Sequence, residues 1–430
     1  MGDVLNLTTA IDIVALIFLA CGGAAIWILW KGCRVLRQIA RASVRDDTAI
    51  LLKSPRVPPV SVIVVARDSS TRTLAFVRGL LDLAFGHHEV IVVLGDPNRA
   101  NLDVWTHEFS LTPSHRSTQG ELRASPVEEA YESTLPLSML VLVKNPGSEA
   151  DAWNTGVNAA SCPIIAMFDP ESEFSQESLL RLIGPMLDDP DLVFAVCGMA
   201  PPPPAEGISG SYADIEAARM WLGRCAAFAG GQNMLAPVPG SAILVRRDAI
   251  VAAGGFLAGP LELFVNLQGR ARNSGKPYRA EFVPEPISHL PATRSFGELR
   301  ERVIRDQRAM FGTLRRAKDF TGGRFALGWG LPAISLYRFW RPLVETLLYP
   351  VTIIGMIFGW VRLETGLLVL LTTAGVGILV SMTSIVLREL IDYRGSDPSR
   401  LSRLFWATFP ENLGYRQLRN LWLIAAALGR

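Results

Sequence analysis

The sequence predicts an α/β protein in which a doubly wound sheet is flanked by membrane-associated helices. Between residues 58 and 174, short runs rich in valine and isoleucine alternate with helix-like segments, as in parallel sheets. Such alternation implies right-handed crossovers that place helices on both faces of the sheet. Long apolar segments near both ends of the chain are of bilayer-crossing length.

Composition narrows the class of function. The chain has 430 residues, 49% of them hydrophobic, which suggests a membrane-attached protein. Its net charge of +2 does not indicate a nucleic-acid partner. The five cysteines lack CxxC or Cys/His spacing, so they favour a reducing compartment and argue against a zinc site or a disulfide scaffold.

The first apolar segment, residues 11–30, is predicted to be a transmembrane helix within a unit of residues 1–35, followed by a linker at 36–57. A cleaved signal peptide is the alternative, but it would carry positive charge before the apolar run. Here Asp3 and Asp12 come first, and basic residues follow: Lys31, Arg34, Arg37, Arg41 and Arg45. The positive-inside rule therefore places the N-terminus outside and the next domain in the cytoplasm.

The cytosolic domain is predicted over residues 58–293. Strands are expected at 60–65, 89–94, 139–143, 164–168, 240–247 and 278–283. Helices are expected at 71–85, 149–160, 212–227 and 261–273, with a turn at Gly254, Gly255 and Phe256. Residues 98–135 are polar and weakly periodic, so they are interpreted as an insertion or a mobile loop.

Membrane-associated segments are predicted after residue 293. Residues 294–342 are basic and partly amphipathic, which suits helices on a cytoplasmic membrane surface, although a solvated basic helix fits equally well. Residues 343–388 hold two apolar segments and are interpreted as a transmembrane hairpin. The tail, residues 389–430, returns to the cytoplasmic side, and its short apolar end is expected to lie in the interface.

Two carboxylates follow the predicted strand at 164–168. Asp169 and Glu171 would lie at the sheet edge where parallel α/β proteins bind ligands. A pair of carboxylates there could hold a hard divalent cation, which in turn could neutralise the phosphates of a nucleotide. The plainer alternative is that Asp169 caps the next helix while Glu171 is solvated.

The order of these features resembles the membrane-embedded family 2 glycosyltransferases, the group that contains synthases of hyaluronan, chitin, cellulose and poly-N-acetylglucosamine. Four segments carry the resemblance: PPVSVIVVA, NPGSEADAWNTGVNAA, GSAILVRRDAIVAAGGF and GKPYRAEFVPEPISH. The resemblance implies a cytosolic GT-A domain between transmembrane helices of an inner membrane. It also implies a nucleotide-sugar donor, usually a UDP-sugar, a polysaccharide or lipid-linked acceptor, and Mg²⁺ or Mn²⁺ bound by Asp169 and Glu171.

The resemblance assigns the donor contacts only in part. An acidic pair that would contact uridine is replaced by Asp96, displaced by a residue or two. Asp151 and Asp169 match donor-binding positions. Glu149 stands where the family has a lysine, which replaces a cation facing the diphosphate by an anion and should weaken donor binding.

The general base departs most from the family pattern. By the resemblance, an acidic Glu-Asp pair whose aspartate is the base falls on Gly259 and Pro260. Proline therefore stands at the position of the base, and its side chain has no proton acceptor. Glu262, two positions beyond Pro260, is the remaining candidate base. Loss of a general base costs about two to four orders of magnitude in rate.

The last family motif corresponds to residues 307–311. Gln307 and Arg308 remain and would line the acceptor site, whereas Met310 replaces an arginine that would face the diphosphate. Met310 and Phe311 are interpreted as membrane-facing packing residues.

Two functions are consistent with these residues. One is an active inverting glycosyltransferase. The other, favoured by the departures at four motifs, is a catalytically degenerate accessory or regulatory subunit of cell-surface polysaccharide synthesis, bound to another synthase or envelope subunit. A pore or transporter has little support because the predicted spans carry almost no ionisable residues.

Overall fold

The computed structural model describes most of the chain after residue 56. The described residues are 57–66, 70–95, 99–116, 120–135, 138–145, 147–170, 172–188, 192–200, 207–228, 242–273, 279–289, 293, 295–321, 339–390 and 398–429, with Trp30, Cys33 and Arg34. The predicted N-terminal span and linker therefore lie almost wholly outside the described residues. Asp96 and Glu171 lie outside them as well.

A ten-stranded mixed sheet forms the centre of the fold, with the spatial order β3-β4-β5-β2-β1-β6-β9-β8-β10-β7. The strands are β1 Val60–Ala66, β2 His88–Leu94, β3 Leu111–Pro113, β4 Glu129–Ser133, β5 Met139–Val143, β6 Ile164–Met167, β7 Glu173–Phe174, β8 Leu192–Ala200, β9 Ile243–Arg246 and β10 Arg279–His289. Strands β5, β2, β1 and β6 are parallel neighbours, whereas β9 runs antiparallel between β6 and β8. The predicted α/β class is confirmed.

Helices connect these strands. They are α1 Thr71–Leu81, α2 Arg99–Phe109, α3 Glu149–Ala159, α4 Ser178–Asp188, α5 Gly207–Phe228, α6 Arg247–Ala252 and α7 Pro260–Asn273. Helix α3 packs on β1 and β2, and a Cβ on its Gly156 would come within 2.5 Å of Ile63 Cγ2. Glycine at this position therefore lets α3 lie close against the sheet.

The described residues of the segment 98–135, which are 99–116 and 120–135, contain a helix and two strands; this contradicts the mobile-loop alternative and is compatible with an insertion. These residues form α2 and the antiparallel pair β3–β4, which extends the sheet beyond β5. Trp105 is fully buried and its ring stacks on Phe109 with centroids 5.5 Å apart. The sequence gives little indication of these elements, because only a few apolar side chains anchor α2 and the residues of β4 are only partly buried.

A buried carboxylate ties the amino ends of β1 and β2 together. Glu89 is 5% exposed and accepts hydrogen bonds from Ser61 Oγ at 2.5 Å, Ser161 N at 2.8 Å and Arg116 Nη2 at 2.9 Å. Burial raises the pKa of Glu89, but these donors outweigh it and hold the pKa below its usual range. This network lies at the amino ends of the parallel strands, on the edge of the sheet opposite their carboxyl ends.

A helical module follows the sheet domain. It comprises α8 Phe296–Thr321, α9 Arg341–Ile357, α10 Leu363–Glu389, α11 Pro398–Pro410, a π-helical turn Glu411–Tyr415 and α12 Arg416–Ala427. Helix α12 packs against α8 and α9, so it is part of the same helical module. Among the described helices, α10 alone is long and apolar enough to cross a membrane, with a mean hydropathy of 2.0.

Helix α5 joins the sheet domain to the module. It packs against α10 and α11, and its charged side chains pair with residues of the module. Arg400 bonds Asp214 at 3.2 Å, Arg419 bonds Glu216 at 2.6 Å, and Arg219 lies 3.6 Å from Glu411. The two parts are therefore held together by ion pairs as well as by apolar packing.

Candidate functional site

The candidate site lies at the edge of the sheet where the parallel strands end. Strands β1, β2, β5 and β6 run in the same direction, so the residues that follow them share one edge. Lys144 follows β5 and Asp169 follows β6. Helix α3 begins at the same edge, where Ser148 Oγ caps it by accepting a hydrogen bond from Asp151 N at 3.2 Å.

Asp151 is occupied by partners within the protein. The Lys144 ammonium, only 1% exposed, forms an ion pair with it and also donates to Thr155 Oγ1 at 2.9 Å. Burial raises the pKa of Asp151, but Lys144 and the Ser125 N–H, 2.6 Å from Oδ1, outweigh burial and lower that pKa. Lys144 therefore supplies a cation at this edge. It is buried, and it lies five residues before Glu149, the position at which the resemblance led us to expect a lysine.

Three side chains of α3 hold the segment 122–125 along the helix. Asn158 pairs with the backbone of Leu122 in both directions, at 3.0 and 2.8 Å. Asn154 Nδ2 donates to Arg123 O at 3.2 Å, and Asp151 accepts from Ser125 N. The polar residues of the segment NPGSEADAWNTGVNAA thus serve the packing of a loop as well as the site.

The Gly254-Gly255-Phe256 turn is fixed against the same helix. Asn154 accepts from Phe256 N at 2.7 Å and donates to Phe256 O at 3.1 Å. The Phe256 ring stacks on Trp153 with centroids 5.5 Å apart and planes 20° apart. Because α7 begins only a few residues later, this contact sets the position of its N-terminus relative to α3.

Glu262, the sequence-predicted base, lies in the first turn of α7 and is only 2% exposed. Its backbone N donates to Gly259 O at 3.1 Å. Its Oε1 is bound by the Arg316 guanidinium of α8. The structure therefore places Glu262 inside an ion pair between α7 and α8.

Glu149, which the sequence suggested only as an unfavourable replacement of a lysine, lies beside the start of α7. It is exposed, and its Oε1 accepts from Trp153 Nε1 at 3.4 Å. A Cβ on Gly259 would be 3.9 Å from the same Oε1. No sequence pattern links two positions so far apart in the chain, so the approach of Glu149 to Gly259 is visible only in the folded protein.

The residues of the last motif lie on α8 and face different ways. Gln307 is fully buried, whereas Arg308 is exposed. Met310 is only 7% exposed within the protein, so its interpretation as a membrane-facing residue is wrong. Phe311 is half-buried, with its ring 6.1 Å from that of Phe339.

Asp169 is the one described member of the predicted metal pair. It is half-buried, and its backbone O accepts from Ser172 N at 2.9 Å and Ser172 Oγ at 2.7 Å. Within the described residues there is no group of three or more His, Cys, Asp or Glu side chains that could together hold a metal ion. A half-buried carboxylate at this edge fits a cation that takes most of its other ligands from substrate phosphates and water, as Mg²⁺ does.

Comparisons with known proteins show the fold. The chain matches no protein-family model and no curated protein sequence. It is similar to the mannosyltransferase PcManGT from Pyrobaculum calidifontis, solved in complex with GDP-Man and Mn²⁺, with a TM-score of 0.55 and 16% identity over 97% of each chain. The chain therefore has a glycosyltransferase fold of the GT-A type.

Weaker similarities are to two other solved structures. Glucosyl-3-phosphoglycerate synthase from Mycobacterium tuberculosis, in complex with Mn²⁺, UDP and phosphoglyceric acid, gives a TM-score of 0.38 at 14% identity over 63% of this chain and 82% of that one. Residues 1–349 of S. aureus TarS give 0.36 at 11% identity over 84% and 91%.

Proposed function

We propose that the protein is a metal-dependent glycosyltransferase that takes a sugar from a nucleoside-diphosphate donor. The observation that carries the proposal is the GT-A frame with Asp169, half-buried, at the edge where the parallel strands end. Asp169, with Glu171 two positions on, would hold Mg²⁺ or Mn²⁺. When bound, the cation supplies charge neutralisation for the donor diphosphate.

The donor is proposed to be a UDP-sugar and the acceptor a polysaccharide or a lipid-linked sugar, as the resemblance implies. The base of the nucleotide is left to experiment, because Asp96 lies outside the described residues. A GDP-sugar is included in the test for this reason.

The full chain, purified in detergent with MnCl₂, is incubated with UDP-glucose, UDP-N-acetylglucosamine and GDP-mannose, and free nucleoside diphosphate is measured. Slow transfer to water makes the assay independent of the acceptor. We expect release from one donor, and we expect Asp169→Asn to abolish both the release and the thermal shift given by nucleotide plus metal. Equal release by wild type and Asp169→Asn would contradict the proposal.

A non-catalytic accessory subunit is the second candidate. Its support is the engagement of Glu262 by Arg316 and of Asp151 by Lys144, since two groups expected at the donor or acceptor are occupied by partners within the protein. This function predicts a nucleotide-dependent thermal shift without turnover and stable co-purification with a second synthase.

A multi-pass position in the inner membrane is also proposed, with the sheet domain cytosolic. Its support is the apolar surface of α9 and α10, where Leu347, Val351, Ile354, Ile357, Leu368 and Leu371 are all more than 40% exposed. Retention of the protein in membranes after carbonate washing would support it, and release into the supernatant would oppose it.

A further inference from the structure

We infer that Glu149, and not Glu262, accepts the proton of the attacking hydroxyl, an assignment that rests on the proposed glycosyl transfer. Two helix N-termini meet at this point of the fold. Glu149 is the first residue of α3 and Gly259 immediately precedes α7. Oε1 of Glu149 lies 3.9 Å from the ideal Cβ position of Gly259, which is van der Waals contact with the residue before Pro260.

Glu262 is unsuited to the same task. At 2% exposure it has almost no surface open to a substrate hydroxyl, and its Oε1 is engaged by Arg316. Use of Glu262 as a base would require the first turn of α7 to move away from α8. A general base must come within hydrogen-bond reach of the proton that it takes. Glu149 is exposed, so an acceptor hydroxyl can approach it without such a movement.

The carboxylate of Glu149 is also held in place. Trp153 Nε1 donates to it across one turn of α3, and the Trp153 ring is 6% exposed and stacked on Phe256. Phe256 is itself fixed by two backbone hydrogen bonds with Asn154. We assign Trp153 as a positioning residue for Glu149, since it supports the carboxylate from the side of the protein core.

The step is a single displacement. The acceptor oxygen forms a bond to the anomeric carbon, and the bond from that carbon to the donor diphosphate breaks with its electron pair on the diphosphate. The proton of the acceptor hydroxyl passes to the Glu149 carboxylate. With water as the acceptor the same transfer gives free sugar, so donor hydrolysis reports on the base.

The test compares Glu149→Gln with Glu262→Gln in the donor-hydrolysis assay, with Glu177→Gln as a matched control. Glu177 is an exposed glutamate beside the N-terminus of α4 that pairs only with Arg181 among the interactions described for it. We expect Glu149→Gln to lower kcat by about 10²- to 10⁴-fold, with the thermal shift from nucleotide plus metal unchanged. We expect Glu177→Gln to be equal to wild type and Glu262→Gln to retain turnover.

A further variant separates catalysis from structure. Trp153→Phe keeps the aromatic ring but removes the N–H, so it should lower kcat more than it raises KM. If Glu262→Gln does not fold, Arg316→Met replaces it, because freeing Glu262 should then leave kcat unchanged.

The outcomes separate the two proposals. Turnover by wild type with equal turnover by Glu149→Gln overturns the assignment of the base and leaves the proposed function standing. Loss of turnover in Glu262→Gln alone, in folded protein, assigns the role to Glu262. No turnover by wild type with any donor overturns both.

Discussion

Replacing Gly255 by alanine should destabilise the sheet domain for two reasons, its backbone conformation and the space around its Cα. Its φ is +82°, a region that costs an L-residue roughly 1–2 kcal/mol. Its ideal Cβ would also lie 2.4 Å from Asn154 Oδ1 and 3.1 Å from Leu122 Cδ1. Asn154 must therefore move, which leaves the buried Phe256 N–H without its acceptor at a cost of about 1–3 kcal/mol.

The two contributions give about 3 kcal/mol, or a fall in Tm of about 6–12 °C for a domain of this size. The assay is thermal unfolding of the full chain in detergent, followed by intrinsic fluorescence. Gly223→Ala is the matched control, because its Cβ would meet nothing within 4 Å on α5, and it should leave Tm unchanged or slightly raised.

A second variant tests the assigned cause. With Asn154→Ala already present, the contact with Oδ1 no longer exists, so Gly255→Ala should add only the backbone cost of about 1–2 kcal/mol. A Tm for Gly255→Ala within about 1 °C of wild type, or full additivity of the two changes, would refute the reasoning.

Three further predictions concern other charged groups. Glu89→Gln should cost about 1–3 kcal/mol in thermal unfolding because it weakens the bond to Arg116; since the folded pKa of Glu89 lies below its unfolded value, its contribution should be present at neutral pH and lost as the pH falls below about 4.5. Lys144→Met should cost about 3 kcal/mol by leaving Asp151 without its cation, and a double-mutant cycle with Asp151→Asn should recover a coupling free energy. In calorimetry with GDP or UDP, Asp169→Ala should remove the dependence of binding on Mn²⁺, and nucleotide binding that depends on Mn²⁺ to the same degree would contradict its assignment.

The strands of the central sheet were predictable because they are buried on both faces. Burial on both faces selects continuous β-branched runs such as Val60–Ala66 and His88–Leu94, so local sequence alone identifies them. The segment 98–135 was missed because β4 is an outer strand with partly buried polar residues, which carries little periodic signal. The helix of this segment depends on Trp105, one large buried side chain among polar neighbours.

The candidate site was predictable only where its residues are neighbours in the chain. Asp169 directly follows a strand, so its place at the sheet edge could be read from the sequence. The burial of Met310 depends on how α8 packs on its neighbours, and the ion pair of Glu262 with Arg316 depends on how α7 meets α8. Neither the burial of Met310 nor the ion pair of Glu262 can be predicted from the residues adjacent in the sequence.

The proximity of Glu149 to Gly259 weakens one argument for a catalytically degenerate protein. From the sequence they were two independent losses: a lysine replaced by Glu149 at one position, and an acidic pair replaced by Gly259 and Pro260 at the other. In the fold the two positions are neighbours, and Oε1 of Glu149 lies 3.9 Å from the ideal Cβ position of Gly259, the residue before Pro260. If Glu149 supplies the carboxylate that is absent at Gly259 and Pro260, the two departures together leave a carboxylate beside the start of α7. If turnover is observed and depends on Glu149, these two departures no longer support a catalytically degenerate protein.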